Sequence, residues 1–360
     1  MLLLLSLFLL YGFETAFPLS PYITDSCPAR DSTAFPGEIV ITGVGDIMLG
    51  SAFPDTRRLP PSDNPFLLLA SVADTLSSSD ITFGNLEGSF LDSGDPWKKC
   101  RDTTICYLFR MPERYVSALT SSGFDILSVA NNHFGDFGPP GRTRTKQILD
   151  SAGIHYAGLV EHPWAIFRKD SILYGFCAFA PNSGTVNINE TEKAASIVRM
   201  LADTCDVVIV SFHGGAEGAD FQHVPRAMEV FHGENRGDVY HFAHNMIDNG
   251  ADVVFGHGPH VTRAIEVYND RFISYSMGNF CTYGRINLAG PNGLAPIVKI
   301  RVDTTGRFLS GRIIPCRQTW PGGVKYDDSR AVINKIRALM ESDFPDALID
   351  LSSNGEISYK

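Results

Sequence analysis

None of the seven cysteines forms a Cys-x-x-Cys pair, so a zinc site built on thiolates is not indicated. The chain also lacks a basic cluster. Its 30 Lys and Arg are outnumbered by 40 Asp and Glu, giving a net charge of −10. That balance argues against a nucleic-acid partner, since binding to phosphate backbones rests on surplus cations. No apolar run reaches the length of about 20 residues that a membrane span needs. There is no internal repeat and no low-complexity segment. What remains is an ordinary globular composition, 44% hydrophobic and 19% charged, with ample material for a large core. A chain of 360 residues fits either two domains or one large α/β domain.

The longest apolar run, Leu2–Phe13, resembles the core of a secretion signal. No Lys or Arg precedes it, and Glu14 stands where cleavage after Ala16 would favour a small residue. Residues 1–16 are therefore read as a signal peptide or a retained N-terminal anchor. Residues 17–37, carrying Pro, Ser, Thr and Gly, are read as a linker. Both readings of the first segment place the protein outside the cytoplasm, on the periplasmic or extracellular face of the membrane. In such an oxidising compartment Cys100 and Cys106, flanking the polar loop "CRDTTIC", could close a disulfide. Cys177, Cys205 and Cys281 lie in or beside apolar runs and read as small buried hydrophobes.

From residue 38 onward, strand-like and helix-like segments alternate. Strands are expected at "EIVITGVGDIM", "DITFGNLEG", "FDILSVANNH", "SILYGFCAFA", "CDVVIVSFHGG", "ADVVFGHGPH" and "RFISYSMGNF". Helices are expected over Phe66–Ser77, in "RYVSALTSSG", "TRTKQILDSAG", "ETEKAASIVRMLADT" and "DVYHFAHNMIDNG", and over Ser329–Met340. A hairpin is expected in "APIVKIRVDTTGRFLSGRIIP". Continuous Val/Ile strands alternating with helices predict an α/β fold with substantial parallel pairing, and the late hairpin makes at least one sheet mixed. The main domain is placed at 38–345, with a C-terminal tail at 346–360.

The polar residues stand at the strand tips. Asp46 follows the first strand, Asn85 and Glu87 the second, and Asn131, Asn132, His133 and Asp136 the third. His213 and Glu217 follow another, and His257 with His260 another still. Taken singly, each is an ordinary turn residue or a solvated charge. Taken together they predict a site, because the carboxyl ends of parallel strands converge on one rim. Asp46, Glu87, Asn132, His213, His257 and His260 offer imidazoles, carboxylates and an amide oxygen, without thiolates. Such a set suits divalent Zn, Mn or Fe. Six ligands permit two ions and do not require them. His241 and His244, three apart on a helix, read instead as a packed helix face.

The stretches "GDIML", "NLEG", "ANNHFGDFG", "HGGAEG", "GHGPHV" and "YSMGNF", in this order, resemble the CapA family, which is associated with bacterial capsule and poly-γ-glutamate synthesis. The resemblance implies a fold like that of the calcineurin-like metallophosphoesterases: two packed mixed β-sheets flanked by helices, a four-layer sandwich in one domain. It also implies roles. Glu87 takes the place of a bridging carboxylate, and Asn132–His133 that of a ligand Asn followed by a catalytic acid. His213 looks like an isolated ligand, and His257 with His260 like a histidine pair carrying one extra intervening residue. Two departures stand out. Met48 occupies a position where the phosphoesterase pattern has His. Gly214 stands where the family usually has Trp, removing an aromatic wall.

Asp136 could orient His133 or cap the helix after it. Glu217 could be a general base, a ligand or a surface charge. Asn131 and Asn279 are candidate substrate contacts or turn residues. Arg110, at a position where the family has Arg, could hold a carboxylate or phosphate, or lie on the surface. The implied substrate is an anionic envelope polymer such as poly-γ-glutamate, or its precursor, with a membrane-bound capsule synthesis complex as partner. Three functions stay open: a metal-dependent hydrolase of phosphoester or amide bonds, a metal-assisted epimerase of glutamyl residues, and a non-catalytic polyanion-binding component.

Overall fold

The computed structural model describes residues 37–99, 107–284 and 286–360. The expected signal or anchor, all of the linker but Gly37, and the Cys100–Cys106 pair lie outside the described residues. Among the described residues, no helix is long and apolar enough to cross a membrane.

Strands β1 (Glu38–Met48), β2 (Ile81–Leu86), β3 (Ile126–Ser128) and β4 (His155–Ala157) begin a first sheet. The second sheet takes β5 (Trp164–Lys169), β6 (Ile172–Phe179), β7 (Val207–His213), β8 (Val253–His257), β9 (Ile265–Tyr268) and β10 (Arg271–Ser274). The chain then returns to the first sheet with β11 (Asn279–Thr282), β12 (Ile297–Asp303), β13 (Phe308–Ile314), β14 (Ile349–Leu351) and β15 (Glu356–Tyr359). The spatial order of the first sheet is β14–β15–β13–β12–β1–β2–β3–β4, with β11 also paired to β1. That of the second is β9–β10–β8–β7–β6–β5. In each sheet a parallel centre carries antiparallel neighbours, so both are mixed.

The alternation of side chains along a strand sorts the core. Ile39 and Ile41 of β1, Phe83 of β2 and Ile126 of β3 join the cluster shared with the second sheet. Val44, Ile47, Leu86 and Leu127 join a second cluster on the opposite face. At the centre of the sandwich the Phe83 ring stacks on Phe255 at 5.1 Å and meets Phe176 at 5.7 Å. Helices complete the outer layers. α1 (Gly138–Ala152) sits in the second cluster through Leu149, starts on prolines and ends on Gly153 in the left-handed conformation. α2 (Thr191–Ala202) and α3 (Val239–Asp248) pack on the second sheet, and the Asp238 side chain caps α3 by accepting the His241 amide. α4 (Ala331–Asp343) buries Val332, Ile333 and Ile336.

The layered architecture is the one the resemblance implied. Several local expectations change. The stretch "RFISYSMGNF" is not one strand: β10 belongs to the second sheet and β11 to the first, and residues 275–278 cross between them. Gly45 permits this crossing, because a Cβ there would lie 1.9 Å from the Gly278 carbonyl, to which the Asp46 amide donates at 2.9 Å. The helix expected over Phe66–Ser77 breaks into Phe66–Leu69 and Ala73–Ser77. Residues 346–360, read as a tail, supply β14 and β15 to the first sheet.

Candidate metal centre

The carboxyl ends of the two sheets' central strands meet at one rim. In the first sheet Asp46 is paired in register with Asn85 of β2 and with Asn279 of β11. In the second, His213 and His257 stand opposite each other at the ends of β7 and β8. Face-to-face packing of the sheets brings these pairs together.

Asp46 is fully buried. Its Oδ1 accepts from Asn85 Nδ2 at 2.8 Å and lies 3.1 Å from His257 Nδ1. Its Oδ2 lies 2.8 Å from His260 Nδ1. Glu87, just past β2, places Oε1 3.0 Å from His213 Nε2 and Oε2 3.8 Å from His260 Nδ1. On the far side of His260, Nε2 is 3.9 Å from Glu217 Oε2. His260 reaches this position with φ of 58°, a left-handed conformation that is costly for a residue with a side chain. Asn279 steadies it by donating Nδ2 to the His260 carbonyl at 3.1 Å.

A divalent cation fits this donor set. One ligand atom each from Glu87, His213 and His260 lies within 4.8 Å of the others. Three buried polar atoms, His213 Nδ1, His257 Nε2 and Asn132 Oδ1, have no hydrogen-bond partner. Buried polar atoms are rarely left unpaired, so these point to a missing partner. The charges agree. Burial and then the Asp46 charge push the Glu87 carboxyl up, against the pull of His260. Burial opposes the charge on Asp46, yet its bonds to His257 and His260 hold its pKa well below the usual carboxylate range. Burial would lower the pKa of His260, but Glu87, Asp46 and Glu217 outweigh it and raise it. Burial, with Arg236 and His260, pushes His213 down, leaving a neutral imidazole of the kind that ligates metal. Asp46, Glu87 and Glu217 thus gather around His260, and their oxygens form a set that a cation could share.

Next to this pocket lies a second unit. His133 Nδ1 is 2.9 Å from Asp136 Oδ2, which also accepts the Phe109 amide at 2.9 Å. The Asp136 carbonyl accepts the amides of Trp97 and Lys98, and Lys98 Nζ is 3.5 Å from Asp136 Oδ1. Asp136 therefore holds the His133 ring, and Phe109 packs on that ring at 4.2 Å. Asn131 donates to Asn85 Oδ1 and the Leu86 carbonyl, and accepts from the amides of His133 and Phe134. It links the two units and lies buried behind the turn rather than on open surface.

Other candidates fall elsewhere. Arg110 donates to the carbonyls of Gly94 and Ala52 and packs against Phe53 and Phe137. Those bonds tie two loops together. Met48 is buried in the apolar cluster outside the site. His241 is exposed and bonded to Asp238, and His244 stacks on Tyr268 and bonds Glu266, so neither joins the rim. Sequence reasoning missed Arg236, whose Nη2 is 3.0 Å from Glu217 Oε1, and the Arg263–Glu229 pair beneath the same loop. These lie in or beyond the irregular stretch after β7, where no periodic pattern marks them.

Layered mixed sheets with histidines and carboxylates gathered at one rim define a candidate metal-binding α/β protein. The profile of the family described as bacterial capsule synthesis protein PGA_cap matches residues 40–283, and the chain belongs to that family. It is 27% identical over 262 residues to the capsule biosynthesis protein CapA of Bacillus anthracis, covering 68% of this chain and 59% of that protein. It is 26% identical over 254 residues to the PGA biosynthesis protein CapA of Bacillus subtilis (strain 168), covering 66% and 61%. The chain thus spans about three fifths of the length of these curated relatives. Among solved structures it is similar to a 5'-nucleotidase precursor from Thermus thermophilus, with a TM-score of 0.44, 10% identity, and 84% of this chain and 59% of that one covered.

Proposed function

We propose that the protein is an exported metal-dependent hydrolase acting on an anionic polymer of the bacterial envelope, or on its precursor, beside a membrane-bound capsule synthesis complex. Poly-γ-glutamate is the first substrate to test, given the names of the Bacillus relatives. The observation that carries the reading is the convergence of Glu87, His213 and His260 around unpaired buried donors.

One or two divalent ions (Zn, Mn or Fe) would be held by Glu87, His213 and His260, with Asp46, His257 and Asn132 as further donors. Bound there, such an ion supplies Lewis acidity that activates water and stabilises charge on the attacked phosphoryl or carbonyl group. The chain's own groups do the rest. Asp46 and Asn85 set the angle of His257 and His260. Asp136 fixes Nδ1 of His133, leaving Nε2 free to deliver a proton to the leaving group. Asn131 holds the backbone that carries His133, and Phe109 shields one face of the ring from water.

The test is elemental analysis of protein purified without chelator, followed by phosphoester and γ-glutamyl amide panels. The expected result is one or two ions per chain and turnover that His133→Gln abolishes while the ions stay bound. Absence of metal would overturn the reading. Stoichiometric metal without turnover on either panel would favour the polyanion-binding role, and solvent deuterium uptake without cleavage would favour epimerisation.

A further inference from the structure

The proposed chemistry makes no use of Arg236, yet this guanidinium is only 2% exposed. A buried Arg needs partners; Nη1 lies 3.7 Å from the exposed Glu234, and the closer contacts are with the loop after His213. Nε donates to the Gly215 carbonyl at 3.1 Å, and the Arg236 carbonyl accepts the Gly215 amide at 2.8 Å. Nη2 lies 3.0 Å from Glu217 Oε1, an ion-pair contact without hydrogen-bond alignment. A second buried arginine secures the same loop from below. Arg263 donates Nη1 and Nη2 to Glu229 at 2.9 and 2.7 Å, and Glu229 Oε1 accepts the Ala216 amide at 3.0 Å.

The loop backbone is therefore held at both Gly215 and Ala216. The freedom that remains is the direction of the Glu217 side chain, which is 24% exposed and would otherwise turn to water. Arg236 removes that freedom. With Oε1 engaged, Oε2 points back to His260 Nε2, 3.9 Å away, on the side opposite Asp46. The glycine at 214 is part of the same arrangement. A Cβ there would lie 2.8 Å from the Arg236 carbonyl and 3.0 Å from Ile188, so a larger residue would push the Arg236 backbone off the loop.

We propose that Arg236 is a positioning residue of the cation pocket: it holds one oxygen of Glu217 and so aims the other at an ion bound by Glu87, His213 and His260. Glu217 is then an additional carboxylate of the pocket, Gly214 makes room for the backbone of the arginine that directs it, and Gly215 makes room for the Arg263–Glu229 pair below. This inference rests on the proposed metal binding.

The experiment is calorimetric titration of the chelator-stripped full chain with Mn²⁺ alone, with thermal melts to confirm folding. The proteins compared are wild type, Glu217→Gln, Arg236→Met, Arg236→Lys and the double variant Glu217→Gln/Arg236→Met. Loss of a partner that orients a metal ligand typically weakens binding about 10–100-fold. Glu217→Gln and Arg236→Met should each raise the Kd about tenfold. The double variant should bind no more weakly than either single one, and Arg236→Lys should recover most of the affinity. A merely structural arginine would lower the melting temperature without this coupling. If wild type takes up Mn²⁺ and folded Glu217→Gln binds it within about twofold of wild type, this inference fails alone. Strictly additive losses in the double variant would also overturn it. A wild type that takes up no Mn²⁺ overturns the metal reading together with it. Should Arg236→Met not fold, Glu217→Gln and Arg236→Lys decide the matter by themselves.

Discussion

Replacing Asp46 with Asn separates two roles of one carboxylate. Asp46 is fully buried among His257 Nδ1, His260 Nδ1 and Asn85 Nδ2. An amide must turn its NH₂ toward one side of that ring of nitrogens, losing the bond there and the charge that balances His260. Removing one partner of a buried charged pair costs about 3–5 kcal/mol, so stripped Asp46→Asn should unfold at markedly lower urea. The second role concerns the ion. A ligand at about 100 times its Kd stabilises the folded state by about 2.7 kcal/mol. If losing the carboxylate weakens binding about a hundredfold, the same concentration equals the new Kd and contributes about 0.4 kcal/mol by the same relation. Urea melts with and without Mn²⁺ read both quantities, and His241→Ala, altering an exposed histidine outside the rim, should keep the full gain. An Asp46→Asn protein that gains as much from Mn²⁺ as wild type would show that Asp46 lies outside the pocket, and the reasoning would be refuted.

Three further predictions concern the scaffold. Phe83→Ala removes a buried ring stacked on Phe255 between the sheets, and should cost about 3–5 kcal/mol in chemical denaturation; a loss below about 1 kcal/mol would contradict the packing. Gly45→Ala places a methyl 1.9 Å from the Gly278 carbonyl where the chain crosses between sheets, so it should cost about 3 kcal/mol or more, and a wild-type melting temperature would disprove that close approach. His155 lies against Phe167 at 4.1 Å, and burial, helped by His162 and Lys169, lowers its pKa to about 4 from 6.5. Between those values the unfolded chain binds the proton and the folded one does not. The stabilisation is therefore complete above about 6.5 and is lost as pH falls toward about 4, by up to about 3 kcal/mol. In melts against pH, His155→Phe should remove that slope relative to wild type, and an unchanged slope would count against the assignment.

Which parts of the molecule could be read from sequence follows from how local each signal is. The tips of β1, β2, β3, β7 and β8 could be found because an apolar run ends beside Asp, Asn or His, in all but β3 with a Gly next to it, and both halves of that signal lie within a few residues. Their meeting could be expected because parallel strands share one carboxyl-end rim. The crossing from β10 to β11 left no such mark. "RFISYSMGNF" reads as one strand because each half is apolar and β-branched or aromatic, and only the partner sheets distinguish them. Strand β5 is mostly half-buried at the edge of the second sheet, and β14 and β15 gain their role by pairing with each other and with β13. Pairing at an edge is a tertiary property, and a short polar-rich segment carries little trace of it.

The same distinction applies within the site. The ligand candidates were visible because each ends a strand, whereas the groups that orient them were not. Arg236 and Glu229 occupy an irregular stretch between β7 and α3, and Arg263 follows the histidine pair with no pattern to set it apart from a surface arginine. What makes them important is burial without water to solvate them. A guanidinium exposed by 2% must find carboxylates or carbonyls, and the nearest it finds belong to the loop that carries Glu217. Gly214 shows why the two kinds of residue must be considered together. From sequence its effect is a missing wall, but in the structure the space is taken by the Arg236 backbone. A side chain restored at 214 would therefore act first on the arginine and, through it, on the direction of Glu217 at the pocket.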